Sequence, residues 1–322
     1  MTGSQVSCFT DPSEYAARIR ATRANLVITQ AGHFSAKLIR IDLPQLWMQR
    51  FSENLPRVSH HDNMPGRAIL TFPTRTGPAI LRDGDEEAFG SLQRHSEGRR
   101  SFQRTTGPAH LGSLSLPVAD MEAFGATVCG YDVTPPKESL SVTPSPAAME
   151  RLQNLHAAAG HLAEHAPGVI ASPEAARGLE QALLAAMADC LGTADEHSSG
   201  SGRRRHSRIM RQFYAILEGN PHGVIHVPEI CARLGVSIRT LTTCSNESLG
   251  MSPHRYLKLR QLHLARRALG LGNPATTTVS EIATAHGFWE LGRFAVAYRA
   301  LFGEQPSATL RRAPDAGSNS PP

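Results

Sequence analysis

The chain has 322 residues, of which 40% are hydrophobic and 19% charged, proportions typical of a globular protein with room for two domains. No run of about 18 apolar residues, secretory signal or CxxC pair occurs, which predicts a cytoplasmic protein without a membrane span, disulfides or zinc fingers. The net charge of +5 is uneven: residues 203–313 hold 16 Lys and Arg against 6 Asp and Glu, whereas the rest hold 17 against 22.

A basic C-terminal third joined to a mildly acidic remainder is typical of a protein that binds a polyanion with one end. The alternative is a surface that is only well solvated.

Residues 24–133 have the pattern of short strands separated by turns. The first candidates lie at Phe34–Ile41 and Leu46–Phe51, and the first of these partly alternates apolar and polar residues, as a half-buried strand does. Three further β-prone segments are bounded by Gly and Pro: RAILTFP, HLGSLSLP and ATVCGYDV. Many short strands with such turns predict a small antiparallel barrel or sandwich.

A change in composition follows the β-rich region. TPPKESLSVTPSP (134–146) is predicted to be a connector, and AAMERLQNLHAAAGHLAEHA and SPEAARGLEQALLAAMADCLG are predicted to be helices. Ser172 is expected to cap the second helix, with Pro173 at its first position. TADEHSSGSGRRR (193–205) is predicted to be a flexible linker, and the last nine residues a disordered tail.

One sequence unit occurs twice in the basic third, as VPEICARLGVSIRTLTTCSNESLGMSP (227–253) and VSEIATAHGFWELGRFAVAYRALFGEQP (279–306). Each copy is predicted to form a short helix, a glycine-containing turn, a longer helix and a Gly-x-x-Pro stop. The matching residues, 52 or 53 positions apart, are Glu229 and Glu281, Gly235 and Gly287, Leu241 and Phe294, Gly250 and Gly303, and Pro253 and Pro306.

This unit has the pattern of a helix-turn-helix. In the first copy Ile230 and Leu234 are expected to face inward from the short helix, and Leu241 and Leu249 from the longer one, while Gly235 permits a left-handed corner. The second helix of such a motif fits the major groove of DNA, about 12 Å wide. A helical solenoid is the alternative, but two copies are too few to stack stably.

SPHRYLKLRQLHLARRALG (252–270), between the two copies, is predicted to be one continuous helix. Its apolar residues recur every three or four positions and form a core face. Such a rod could hold two recognition helices about one DNA turn apart, roughly 34 Å. Its basic residues either bind DNA or are only solvated: Arg255, Lys258, Arg260, Arg266 and Arg267.

LGVSIRTL, LGMSPHRYLKLRQLHLARRAL and TTTVSEIATAHGFWELGRFAVAYRALFGEQPSATLRR together resemble the DNA-binding domain of the AraC/XylS family of bacterial transcription regulators. The resemblance implies seven helices and two helix-turn-helix units that bind adjacent major-groove segments on one DNA face. It also implies an N-terminal domain that is often a cupin-like barrel and binds a small effector or mediates dimerisation.

With the resemblance, the predicted class is α+β: an N-terminal cupin-like β-barrel with a helical segment, and a C-terminal all-α domain with two helix-turn-helix units joined by a long helix. The predicted parts are a sensor or dimerisation domain (1–140), a helical linker or dimerisation segment (141–200), the DNA-binding domain (203–313) and a disordered tail (314–322).

The first recognition helix carries polar side chains suited to base contacts. Arg239 could pair bidentately with guanine, and threonines could contact a thymine methyl or a phosphate. Arg239, Thr242 and Thr243 match positions at which the family commonly contacts bases, whereas Ser245 stands where a core aromatic residue is usual. The predicted DNA-contacting residues of this unit are Arg239, Thr240, Thr242, Thr243 and Asn246.

The second recognition helix carries fewer hydrogen-bonding groups. It is expected to dock mainly on phosphates and to contact thymine methyls. Trp289 is expected either at the edge of the core or beside a phosphate. The predicted DNA-contacting residues of this unit are Glu290, Leu291, Arg293, Val296 and Arg299.

No metal, cofactor or catalytic site is expected. His60 and His61 are adjacent, but no HxH with a downstream Glu and His follows at cupin spacing, and no GxSxG or Walker motif occurs. We expect a transcription activator that binds double-stranded promoter DNA and RNA polymerase, with a small-molecule effector or a homodimer formed through the N-terminal domain. Two alternatives are a cupin-type metal-dependent oxygenase fused to a DNA-binding tail and a nonspecific architectural DNA-binding protein.

Overall fold

The computed structural model describes residues 2–197, 201–220 and 223–312. The chain divides into two units: Met1–Leu26 with Phe34–Ser201, and Val27–His33 with Gly202–Pro322. The first is rich in β-strands and the second in helices, so the predicted α+β class is confirmed. The predicted tail, 314–322, lies outside the described residues.

The strands are arranged in two sheets rather than in one closed barrel. The larger sheet has the order β1-β3-β4-β11-β6-β9-β12-β13, with antiparallel neighbours, and the smaller has the order β2-β5-β10-β7-β8. The strands are β1 (Gly3–Phe9), β2 (Thr22–Ile28), β3 (Ala36–Asp42), β4 (Trp47–Glu53), β5 (Arg57–Asn63), β6 (Arg67–Pro73), β7 (Ile80–Arg82), β8 (Asp85–Glu86), β9 (Leu92–Arg94), β10 (Arg100–Thr105), β11 (Ala109–Pro117), β12 (Leu140–Thr143) and β13 (Asp195–His197).

Four predicted strands are present as β3, β4, β6 and β11. The predictions of a strand at ATVCGYDV, an unstructured connector and a flexible linker are wrong. ATVCGYDV is not a strand, because a helix ending at Phe124 continues into a π-helical turn over Gly125–Cys129. Gly125 fits there because a Cβ would lie 2.8 Å from the carbonyl oxygen of Tyr131. The predicted connector contains β12, and residues 201–205 of the predicted linker are helical.

Four helices of the first unit cover one face of the larger sheet. Their contact with it forms the apolar core, in which Met48, Phe72, Leu114, Leu152 and Leu183 are fully or almost fully buried. These helices are α2 (Val118–Phe124), α3 (Pro146–His165), α4 (Pro167–Ala171) and α5 (Pro173–Gly192). The other helix, α1 (Pro12–Arg18), lies at the opposite face, where the Tyr15 hydroxyl donates to the Glu53 carboxylate at 2.8 Å.

Two buried polar side chains fix this helix layer to the sheet. On α5, the Glu180 carboxylate accepts hydrogen bonds from the backbone N–H groups of Gln45 and Leu46, at 2.7 and 2.9 Å. On α3, His156 Nε2 lies 3.0 Å from the carbonyl oxygen of Gln49. Burial, and to a smaller extent the charge of Arg50, lower the pKa of His156 to about 3. The imidazole is therefore neutral, with Nε2–H as the donor.

α3 can approach the sheet at His156 because the facing residue on β11 is Gly112. A Cβ added to Gly112 would lie 2.8 Å from both His156 Cε1 and Phe72 Cζ, which is closer than packed carbon atoms come. The rings of His156 and Phe72 contact each other edge to face, with centroids 5.1 Å apart.

Gly112→Ala is expected to lower the free energy of unfolding of the first unit by about 1–3 kcal/mol, because both rings must move from their places. Gly178→Ala is the control. Gly178 lies in α5 with nothing within 4 Å of its added Cβ, so alanine there should stabilise the helix by about 0.5–1 kcal/mol. Urea unfolding of the full chain measures both, and equal stability of the two variants would contradict the proposed contact.

The second unit contains, among its described residues, the seven helices that the family resemblance implies. α6 was not predicted, although it carries Phe213 and Tyr214, whose rings pack against Tyr256 with centroids 6.0 and 5.7 Å away. These helices are α6 (Ser201–Glu218), α7 (Val227–Leu234), α8 (Ile238–Leu249), α9 (Pro253–Leu271), α10 (Val279–Ala285), α11 (Leu291–Phe302) and α12 (Pro306–Arg311). Among the described residues, no helix combines the length and apolarity that crossing a bilayer requires.

Candidate nucleic-acid interface

α7 and α8 form the first predicted helix-turn-helix. α7 ends at Gly235, whose φ of 64° is the left-handed conformation that the tight corner needs. Ser237 then caps α8, accepting a hydrogen bond from the Thr240 backbone N–H at 3.0 Å. Leu241 and Leu249 are buried as predicted, so the opposite face of α8 lies at the surface.

The outward face of α8 brings together four of the five predicted residues. Arg239, Thr243 and Asn246 are exposed and Thr242 half-buried, at the one-turn spacing of a single helix face. The Thr243 hydroxyl donates to the carbonyl oxygen of Arg239 at 3.1 Å, which leaves its methyl group for a partner. Thr240 differs, because its hydroxyl lies 2.9 Å from the Ser237 hydroxyl in the helix cap.

Ser245 replaces the aromatic residue usual at its position without leaving an unpaired polar group. It is fully buried, and its hydroxyl donates to the carbonyl oxygen of Met251 at 2.7 Å. Cys244 beside it is also fully buried. The hydrogen bond fixes the end of α8 to the turn before α9, a constraint that an aromatic side chain would supply by packing.

α10 and α11 form the second predicted helix-turn-helix. Thr278 and Glu281 form a capping box at the start of α10, and Gly287, with φ of 83°, makes the turn. Phe294 and Phe302 are buried, while Trp289 is 80% exposed, which excludes the core-edge alternative.

The outward face of α11 is largely apolar. Leu291 is 41% and Val296 71% exposed, whereas Arg293 forms an ion pair with Glu290, Nε to Oε2, at 2.7 Å. Arg299 is exposed near the end of the helix. All five predicted residues of this unit thus lie at the surface, with its predicted charges at Glu290 and Arg293 paired with each other.

The duplication shows which surface residue the sequence analysis missed. Ile238, the first residue of α8, is 54% exposed and matches Leu291, the first residue of α11. Aligning the copies from Leu291, which was predicted, would have identified Ile238. The same alignment places Gly292 opposite Arg239 and Ala295 opposite Thr242.

α9 is the predicted rod, and 19 residues make it about 28 Å long. Two of its five basic residues have structural roles. Arg260 donates to the carbonyl oxygens of Leu217 and Asn220 at the end of α6, and Arg266 pairs with Glu304 at 3.3 Å. Arg255, Lys258 and Arg267 are exposed.

Comparison with known proteins adds relatives for the helical unit. Residues 230–312 match the profile of a helix-turn-helix domain family. Over 106 residues the chain is 38% identical to the probable thc operon regulatory protein of Rhodococcus erythropolis, a match that spans 33% of this chain and 32% of that protein. It is 32% identical over 122 residues to XylDLEGF operon transcriptional activator 2 of Pseudomonas putida, spanning 37% of this chain and 76% of the relative.

The chain belongs to the AraC/XylS family of transcription regulators. The helix-turn-helix profile covers residues 230–312, and the match to the thc relative spans about a third of the length of that protein. A crystal structure of the AraC-like transcriptional activator CuxR aligns with 87% of the chain and 100% of its own, at 14% identity and a TM-score of 0.43.

Arg239→Ala is expected to relax the preference at one base pair of an AraC/XylS-type site by about 1–3 kcal/mol, because a bidentate arginine–guanine contact is lost. Binding to a full set of single-base variants of the site measures the effect. Arg233→Ala is the control: Arg233 pairs with Glu229 at 2.7 Å on α7, so its loss should change all sites alike. Unchanged discrimination by Arg239→Ala would contradict the assignment.

Proposed function

We propose that the protein is a one-component transcription activator that binds promoter DNA through α8 and α11 and is not an enzyme. The observation that carries this proposal is the duplicated helix-turn-helix with two exposed recognition helices in a region whose charge balance is +10. Positive charge supplies affinity for the phosphate backbone, and exposed side chains on a protruding helix supply contacts to base edges.

The two recognition helices contribute differently to this function. α8 presents Arg239, Thr242, Thr243 and Asn246, which offer hydrogen bonds to base edges and phosphates. α11 presents Leu291 and Val296, which can only make apolar contacts, and these fit the 5-methyl group of thymine. Trp289 beside them lies where it can pack on a deoxyribose or a phosphate.

The first unit supplies regulation in this proposal. It binds a small-molecule effector or pairs two copies of the chain, and the bound protein contacts RNA polymerase at the promoter in the cytoplasm. The cavity between the two sheets, lined by Gln49, Arg57 and Gln103 among others, supports the effector role, and α3 and α5 would carry the contacts between two copies.

The test is nuclease footprinting of full-length protein on promoter fragments at physiological salt. We expect protection of two consecutive major-groove segments on one face of the duplex, and a preference over random DNA of about 10³ or more. Equal affinity for all sequences would indicate an architectural DNA-binding protein. Protection of a single segment would contradict the use of both helices.

Replacing thymine with uracil in the segment contacted by α11 tests the apolar contact, since uracil lacks the methyl group and keeps the hydrogen-bonding edge. Each contacted methyl group should contribute about 1 kcal/mol to binding. Val296→Ser should bind the thymine and uracil sites more nearly equally. The control places uracil between the two segments, where it should leave the affinity unchanged. Equal affinity of the wild-type protein for the thymine and uracil sites would refute the methyl contact.

A further inference from the structure

One strongly basic helix of the second unit belongs to neither helix-turn-helix. Five of the 16 Lys and Arg residues between positions 203 and 313 lie on α6, which carries a single acidic residue. On its other face Ile209, Phe213 and Leu217 are buried. The arginines are therefore carried by a helix that the core holds in place.

α6 runs beside α8 and α9 in a defined direction. Near its end, the Leu217 carbonyl oxygen accepts a hydrogen bond from Arg260 on α9 at 2.7 Å. Its middle packs against Tyr256, near the start of α9. In its first half, His206 Nδ1 donates to the Glu247 carboxylate on α8 at 2.6 Å. The N-terminal half of α6 thus extends past the start of α9 and lies beside the C-terminal half of the first recognition helix.

Two arginines in this half of α6 are open to solvent. Arg205 and Arg208 are exposed, and residues three apart share one face of a helix. Burial and then the charge of Glu247 raise the pKa of the Cys244 thiol on α8, whereas the charge of Arg205 lowers it, so Arg205 lies near α8. Within the described part of the chain, neither guanidinium forms an ion pair. Two positive charges beside the recognition helix are therefore open to a partner.

The dimensions of DNA put α6 over the sugar-phosphate backbone when α8 enters the major groove. A helix with its side chains is about 10–12 Å across and the groove about 12 Å wide, so α8 fills it. A helix packed against the flank of α8 then lies over a phosphate strand that borders the groove. Guanidinium groups bind phosphate through charge-assisted hydrogen bonds, often two at a time.

The contact between His206 and Glu247 fits this placement. Glu247 is exposed and follows Asn246, one of the predicted DNA-contacting residues, so its carboxylate on its own would repel nearby phosphates. The hydrogen bond from His206 gives this carboxylate a partner and fixes the first half of α6 to the recognition helix. The charges of Arg205 and Arg208 are thereby held at the border of the groove.

We propose that the N-terminal half of α6 is a third DNA-binding element, in which Arg205 and Arg208 bind the phosphates that flank the groove segment read by α8. This inference rests on the proposed function, because it adds a backbone contact to the two recognition helices. Phosphate contacts supply affinity without regard to sequence, whereas Arg239 supplies sequence preference. The DNA site is therefore longer at the α8 end than two groove segments.

The salt dependence of DNA binding by the full chain tests the contact. Each lost phosphate contact lowers the slope of log K against log salt concentration by about 0.9, so Arg205→Gln/Arg208→Gln should lower it by about 2. Its affinity should fall about tenfold at physiological salt, equally for all single-base variants of the site. A wild-type slope overturns the proposal, and so does a loss confined to particular bases.

The matched control removes the same charge elsewhere. Arg151→Gln/Arg177→Gln changes two arginines of α3 and α5 that pair with Asp189 and Glu174 in the first unit. It should keep the wild-type slope, because neither arginine contacts DNA in this proposal. A slope lowered as much as by the α6 variant would show a general charge effect and overturn the contact.

A charge-retaining variant separates charge from packing. Arg205→Lys/Arg208→Lys should keep most of the wild-type slope, since lysine also binds phosphate as a point charge. A slope as low as that of the glutamine variant overturns the phosphate contact. Should the double glutamine variant not fold, Arg208→Gln alone should lower the slope by about 0.9, and an unchanged slope has the same meaning.

Hydroxyl-radical footprinting locates the contact on the DNA. The wild-type protein should protect deoxyriboses just outside the groove segment of α8, and Arg205→Gln/Arg208→Gln should lose this protection alone. Unchanged protection in the variant overturns this inference and leaves the proposed function intact. A wild-type protein without any specific footprint refutes the proposed function, whereas a lower salt slope of the variant on random DNA would still support binding by α6.

Discussion

The helical unit depends on the apolar face of α9, because both helix-turn-helix motifs pack against this one rod. Tyr256 near its start contacts α6, while Leu262, Ala265 and Leu269 further along are buried against α10 and α11. Burying a leucine side chain contributes roughly 1.5–3 kcal/mol. This packing leaves each recognition helix with one face toward the core and the other at the surface. Because α9 is a continuous helix that does not bend easily, its length sets the separation of the two recognition helices.

The sequence predicted this unit well because its signals are local. Gly235 and Gly287 mark corners that need a left-handed backbone, and the residues that flank them repeat at the period of a helix. The duplication supplied a second, independent copy of each signal. α6 was missed because its N-terminal residues, SGRRR, have the composition of a linker. Further along the helix, Ile209, Phe213 and Leu217 recur at helical spacing and are buried, so the sequence did carry a signal for it.

The polar interior of the first unit could not be predicted from the same rules. RVSHHDN on β5 and SFQRT within β10 contain one apolar residue each, Val58 and Phe102, and such polar segments usually indicate a strand or loop in contact with water. In this fold the polar faces of the two sheets meet. A single strand carries no signal that distinguishes water from a second polar sheet, so nothing in the sequence indicated that Arg57, Arg82 and His95 are buried.

The two recognition helices show how duplicated motifs can diverge without losing their fold. The core positions are retained as Leu241 and Phe294, whereas the outward positions changed from Arg239 to Gly292 and from Thr242 to Ala295. Hydrogen-bonding side chains distinguish base pairs by donor and acceptor patterns, while an apolar surface distinguishes them only by the thymine methyl group. We therefore expect α11 to add affinity and orientation over a second groove segment at low selectivity, and α8 to supply most of the discrimination between sites.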